Sequence, residues 1–267
     1  MYPLVSIIIP FYNNLHTINE TVESCLSSSY ENIETIIVDD GSNLCLESLI
    51  NPQFLTQIKI LKKENGGVSS ARNYGVNHSQ GKYILFVDAD DLIDKSYVEK
   101  CVDIFKTDES INIITCRSKK FSQNGSEVNW ELQDPSYRDL LIANHIMISS
   151  MLQRKHFNMI GGFDETLTAF EDWDFWIRIS SLNKNIYLID EYLFKYRVDQ
   201  ENHISLSDKY YYVDNDILKK HYDTIYIKNS KLIVQEFGHP TIYINKINRF
   251  LSKPWYKRIF PKKYLTK

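Results

Sequence analysis

Three carboxylates fall within four residues at Asp88-Ala89-Asp90-Asp91. They follow an apolar run, Tyr83-Ile84-Leu85-Phe86-Val87, bounded upstream by Gly81, so the pattern reads as a buried strand that ends in acid. Two like unit charges roughly 4 Å apart cost about 4 kcal/mol at an effective dielectric near 20. A core strand that ends this way calls for a cation, and a divalent ion with hard oxygen preferences, Mn²⁺ or Mg²⁺, suits carboxylates. A solvated turn capping the next helix accounts for Asp94 but not for Asp88, Asp90 and Asp91 together. A second acidic pair, Asp39-Asp40, ends the run Thr35-Ile36-Ile37-Val38, and a third, Glu171-Asp172, opens an aromatic-rich helical stretch.

The elements that must position these groups follow from hydrophobic patterning. Val5-Ser6-Ile7-Ile8-Ile9, halted by Pro10, reads as a first buried parallel strand, followed by a loop at Phe11-Tyr12-Asn13-Asn14. Thr17-Ile18-Asn19-Glu20 fits a capping box, with Ile18, Val22, Cys25 and Leu26 as the helical stripe behind it. Further strands are expected at 35–38, 58–61, 83–87 and 111–115. Helices are expected from Val68 to about Asn77, carrying Arg72, and from Asp94 through Phe105. Alternation of strand and helix predicts an α/β fold, a mostly parallel Rossmann-like sheet with helices on both faces. Ligands of such sheets bind outside the carboxyl ends of the strands, where Tyr12, Asp39, Asp40, Asp88, Asp90 and Asp91 all fall. In the second half, 146–152 reads as a strand, 154–160 as a short helix and 161–165 as a turn. Helix follows from 173 to about 182, and a hairpin or two edge strands at 186–189 and 192–198. A domain over 1–205 and a mostly helical C-terminal extension over 206–267 are expected.

A net charge of −3 over 267 residues excludes a whole-surface nucleic-acid binder. Cys25, Cys45, Cys101 and Cys116 form no CxxC pair, which predicts small core residues in a reducing compartment. No secretory leader and no apolar stretch of about 20 residues is read, so a cytoplasmic protein is expected. Residues 253–267 hold six basic side chains and no acid, interleaved with Trp255, Tyr256, Phe260 and Tyr264. Such a segment can rest on an anionic membrane surface or remain a solvated tail.

In order along the chain, Val5-Ser6-Ile7-Ile8-Ile9-Pro10-Phe11-Tyr12-Asn13, Ile36-Ile37-Val38-Asp39-Asp40-Gly41-Ser42, the stretch from Asn65 to Gly75, Val87-Asp88-Ala89-Asp90-Asp91, Gly161-Gly162-Phe163-Asp164-Glu165 and Glu171-Asp172-Trp173 resemble the family 2 glycosyltransferases. The resemblance covers residues 4 to about 200. It implies the GT-A fold, a nucleotide-diphospho-sugar donor and inversion at the anomeric carbon. Tyr12 then corresponds to the residue that packs on the nucleotide base, beside Pro10. Asp40 corresponds to the carboxylate that reads a uracil imide, with Asp39 on the turn or the ribose, the order of the two remaining open. Arg72 corresponds to a base or diphosphate contact, or to an ion pair with Asp39 or Asp91. Asp88 and Asp90 form the DxD: Asp90 and Asp91 are expected on the metal, Asp88 and Ala89 at the nucleotide sugar. Asp172 corresponds to the catalytic base, Gly162, Asp164, Glu171 and Trp173 to the acceptor side, and His203 to a metal or diphosphate contact.

The function expected on these grounds is metal-dependent transfer of a hexose or N-acetylhexosamine, from a UDP-sugar, to a hydroxyl of a growing bacterial surface glycan or its lipid-linked form. Two other classes compete. A nucleotide-sugar binding module without activity sits poorly with an intact Asp90, Asp91 and Asp172. A Mg²⁺-dependent nucleotidyltransferase needs a glycine-rich basic loop after the first strand, where Phe11-Tyr12-Asn13-Asn14 stands instead.

Overall fold

Val5, Ile7, Ile9 and Phe11 face one side of the first strand and Ile8 faces the other, and that alternation builds two cores on one sheet. The computed structural model describes residues 2–14, 16–130, 132, 134–198 and 215–238. His203 and the basic aromatic segment 253–267 therefore lie outside the described residues.

The strands are β1 (Val5–Phe11), β2 (Ile33–Asp40), β3 (Ile58–Lys63), β4 (Tyr83–Phe86), β5 (Leu92–Ile93), β6 (Ile113–Phe121), β7 (Glu127–Trp130), β8 (Met151–Gln153) and β9 (Ile186–Arg197). They form one mixed sheet in the order β3-β2-β1-β4-β8-β6-β9-β5, with β7 paired to β6. The half that carries β3, β2, β1 and β4 is parallel. Beyond it β8 runs antiparallel to both β4 and β6, while β6 and β9 are parallel to each other. β1 continues through Pro10 to Phe11 instead of stopping at the proline. The region read as a hairpin is one strand, β9, whose register slips so that Asp190 and Glu191 bulge out between Ile189 and Tyr192.

Helix α1 (Ile18–Leu26) and α3 (Tyr97–Thr107) pack on the Ile7 face. On the Ile8 face lie α2 (Val68–Asn77), α4 (Tyr137–Leu140), α5 (Arg154–Ile160) and α6 (Glu171–Ser180). Gly75 lets α2 lie close on the sheet, since a Cβ there would come within 2.5 Å of Ile8 Cγ2. From the C-terminal extension, α7 (Asn215–Lys228) and α8 (Ser230–Phe237) bury Ile225, Tyr226, Ile233 and Phe237 in that same core. Cys25, Cys101 and Cys116 are buried as expected, whereas Cys45 is exposed.

The capping box does not form. Thr17 Oγ1 donates instead to the Ala89 carbonyl at 2.8 Å, and Glu20 reaches across to Arg197 Nη2 at 2.7 Å. The first contact ties the start of α1 to the loop that carries the three aspartates, and the second ties it to the end of β9. No helix among the described residues is long and apolar enough to cross a membrane.

Candidate active site

β1, β2 and β4 deliver their carboxyl ends side by side. Phe11 lies in register with Asp39, and Val87 N donates to Ile8 O at 3.0 Å just before the chain turns at Asp88. Tyr12, 54% exposed, stands at the rim of this edge. The Ala89 carbonyl accepts from Thr17, so the 88–91 turn is anchored on α1.

The two aspartates of β2, whose order of roles the sequence left open, have different surroundings. Asp40 accepts from Gly66 N at 3.0 Å, from Gly67 N at 2.8 Å and from Lys63 Nζ at 2.7 Å. It is committed to the turn that opens α2, which leaves it unsuited to a nucleotide base. Asp39 Oδ1 accepts from Ser42 N at 2.8 Å, but its Oδ2 has no hydrogen-bond donor and meets only Lys62 Nζ, at 3.6 Å.

The three aspartates after β4 likewise separate. Asp88, 32% exposed at its side chain, accepts from Arg72 Nη2 at 2.8 Å. Asp91, 1% exposed, accepts from the Arg197 backbone N–H at 2.9 Å through Oδ1, while Oδ2 has no donor. Burial pushes the Asp91 carboxyl well above the usual range, and the charges of Asp90 and Asp88 push it the same way. Arg197 Nε also donates to the Asp90 carbonyl at 2.8 Å, so the end of β9 holds the turn from behind. Asp90, in between, is partly exposed.

Arg72 is 3% exposed and joins two elements. Besides Asp88 it donates from Nη1 to Glu171 Oε1 at 3.1 Å, and its guanidinium lies 5.3 Å from the centre of the Phe163 ring. Burial alone would lower its pKa, but Asp88 and Glu171 more than offset this and keep it charged. It pairs with neither Asp39 nor Asp91.

Beside Glu171 stands Asp172, half-buried at the N-terminus of α6. Burial and then the charge of Glu171 push its carboxyl up to about 7, against the pull of Arg72 and of the Trp173 N–H. The helix dipole that favours ionisation is thus outweighed. Phe170, just before α6, holds a left-handed φ of +57°. That strained residue at the entrance to the acidic pair is the kind of departure from regular backbone that functional sites carry.

Three residues expected at the acceptor make contacts within the fold. Trp173 is fully buried, and its Nε1 donates to Leu140 O at 2.5 Å. Gly162 has φ +77°, and a Cβ there would come within 2.6 Å of Asn73 Oδ1, so the glycine fits a protein contact. Asp164 caps Thr166 and pairs with Lys228 on α7, whose ammonium holds the carboxyl well below its usual range. Glu171 stays with the acidic groups, as the partner of Arg72. Arg197 and Asn144, which meets Asp172, carry no local sequence signal; only their long-range partners expose them.

Among the described residues no three His, Cys, Asp or Glu side chains converge as a metal cage. The donor set nonetheless fits a divalent ion of the kind that takes one or two protein carboxylates and fills its shell with water and substrate phosphate. The buried Oδ2 of Asp91, which has no donor, is the structural sign of that fit.

A solved structure of TarS from S. aureus with UDP-GlcNAc superimposes at a TM-score of 0.66 over 84% of this chain and 65% of that one, at 19% identity. A mannosyltransferase from Pyrobaculum calidifontis, in complex with GDP-Man and Mn²⁺, does so at 0.60 over 98% and 88%, at 14% identity. At such identities the likeness is one of fold, the GT-A fold of these transferases. By sequence, an uncharacterised glycosyltransferase of Rickettsia prowazekii is 30% identical over 95% of this chain and 81% of its own length. A chondroitin synthase of Pasteurella multocida is 29% identical over 68% of this chain and 19% of its length. Three other rickettsial relatives are covered over only 27%, 64% and 31% of their own lengths. The profile of glycosyl transferase family 2 matches residues 6–163, a span that holds β1 from Ser6 onward, both acidic strand ends and Arg72, and the chain belongs to that family.

Proposed function

We propose that the chain transfers a hexosyl or N-acetylhexosaminyl group from a nucleoside-diphosphate sugar to a glycan hydroxyl, with inversion at the anomeric carbon. One observation carries the reading. Arg72 joins Asp88, at the strand edge where a donor would lie, to Glu171, the neighbour of an aspartate poised near neutrality. This link supports a reading in which donor side and base side lie next to each other, and base catalysis is most effective when the base titrates near working pH.

In this reading Tyr12 covers the face of the base, and the undonated Oδ2 of Asp39 accepts from a ring N–H such as the uracil imide. Asp90, with the undonated Oδ2 of Asp91, would hold a divalent cation, and Asp88 would lie at the donor sugar. That cation would supply charge neutralisation to the diphosphate as it departs. Asp172 takes the proton of the acceptor hydroxyl as its oxygen bonds to the anomeric carbon. The bond from that carbon to the diphosphate oxygen breaks, and the electron pair leaves with the nucleotide. Arg72 holds Asp88 toward the donor and Glu171 against Asp172. The nucleotide sugars in two structural neighbours favour this donor class, and the chondroitin and hyaluronan synthases among the relatives favour a polysaccharide acceptor.

The assignment is tested by incubating the chain with labelled UDP-, GDP- and other nucleotide sugars, with Mn²⁺, with Mg²⁺ and with chelator, and measuring nucleoside diphosphate released. Release from one donor class that stops on chelation is expected. No release from any donor, with or without metal, would leave the binding-module reading standing.

A further inference from the structure

Asp172 is held by more than its own helix. Its Oδ2 accepts from Asn144 Nδ2 at 2.9 Å, and its Oδ1 from Trp173 N at 2.7 Å. Asn144 lies on the loop between α4 and β8, and its own Oδ1 accepts from Ile146 N at 3.1 Å. An amide whose oxygen is taken by a backbone N–H has only its NH₂ left to offer. Asn144 therefore meets Asp172 as a donor, the partner that an ionised carboxylate requires.

The loop is fixed from two further directions. Trp173, the residue after Asp172, donates through Nε1 to Leu140 O, four residues before Asn144. Tyr226 on α7 donates to Ile142 O at 3.2 Å, and its ring meets that of Trp173 edge to face at 5.8 Å. α6, the loop and α7 thus form one brace that closes on a single carboxylate.

We propose that Asn144 is a positioning residue for Asp172, locking the carboxylate in one orientation as a proton acceptor with a lone pair open to the acceptor hydroxyl. The inference rests on Asp172 as the base. Asn144 itself neither gives nor takes a proton: the hydroxyl O–H bond breaks, the proton passes to Asp172, and the amide contact persists. The described part of the C-terminal extension gains a task through Tyr226, which supports the loop from outside the sheet.

The test is the pH profile of nucleoside diphosphate release by Asn144→Ala and Asn144→Asp. Loss of a donor to a charged group should move the acidic limb up by about one pH unit, lowering turnover at about pH 6 roughly tenfold. The plateau at high pH should largely recover, with KM for the donor unchanged. Asn144→Asp keeps the size of the side chain and the acceptor for Ile146, adds a like charge, and should shift the limb further; it also serves if the alanine variant fails to fold. Tyr226→Phe should move the limb in the same direction by less. Variant profiles that superimpose on the wild type, at full or at uniformly reduced activity, would overturn the positioning role. Asp172→Asn separates the two readings. If it turns over normally, the base assignment falls and this inference with it. If it is inactive while the Asn144 variants keep the wild-type limb, only the inference falls.

Discussion

Arg72 Nη2 meets Asp88 Oδ1 at 2.8 Å while the same guanidinium reaches Glu171 from its other terminal nitrogen. This contact joins a residue of α2 to the turn after β4 and, through Glu171, to the start of α6, so a buried cation links the acidic groups. Removing one partner of a buried ion pair leaves the other charge uncompensated and costs about 3–5 kcal/mol, less where a carboxylate is partly exposed as Asp88 is. Arg72→Ala should therefore lose about 2–4 kcal/mol in urea unfolding. Arg72→Lys, which cannot span both carboxylates with a planar fork, should keep more stability than activity.

In the proposed mechanism Asp172 sets the pH dependence. A base works when ionised, so turnover should fall as pH drops through about 7. Stability should follow the opposite sense. A folded-state pKa above the unfolded value of about 3.9 means the folded chain holds the proton more tightly. The stability this contributes is fully present below about pH 3.9 and is lost as pH rises through about 7. Asp172→Asn resembles the protonated side chain. Its unfolding free energy should match the wild type near about pH 4 and exceed it above about pH 7, by roughly 2 kcal/mol once solvent screening is allowed for, with a higher melting temperature in the same range. Thermal unfolding of both chains across that range checks the sign.

Asp39 and Asp40 should respond differently to the same change. Asp40→Asn disturbs three donors at the start of α2 and should cost about 1–3 kcal/mol of stability. Its donor affinity per folded molecule should be kept. Asp39→Asn should fold normally yet bind UDP about tenfold or more weakly, because a donor replaces the acceptor offered to the base. Calorimetric titration with UDP separates the two.

Gly162→Ala should cost about 1–2 kcal/mol through its left-handed backbone, plus the displacement of Asn73. Once the fold is retained, KM for the acceptor should not change, in contrast to what an acceptor-contacting glycine would give.

The strand tips were legible in the sequence because a buried strand that ends in acid is a local pattern, and Asp39, Asp88 and Asp90 fell at carboxyl ends by patterning alone. The split between Asp39 and Asp40 was not, since it depends on the register that sets Asp40 opposite Lys63. Glu20 looked like half of a capping box because that motif is local, whereas its actual partner, Arg197, lies 177 residues away. β9 read as two strands because Asp190-Glu191 interrupts the apolar run; pairing with β6 carries the strand across that bulge. Trp173 and Phe163 could be called aromatic from the sequence, but only packing against α2, α4 and α7 shows that they form core rather than a sugar surface.

The central claim is that one cleft both holds the donor and supplies the base. It is tested most directly by measuring UDP binding and UDP-sugar turnover in parallel, with Mn²⁺ at about pH 8, for Asp90→Ala and Asp172→Asn. The account predicts that Asp90→Ala loses metal-dependent UDP binding and turnover together, while Asp172→Asn binds UDP as the wild type does and turns over at least about a hundredfold more slowly. Wild-type turnover in either variant would contradict it.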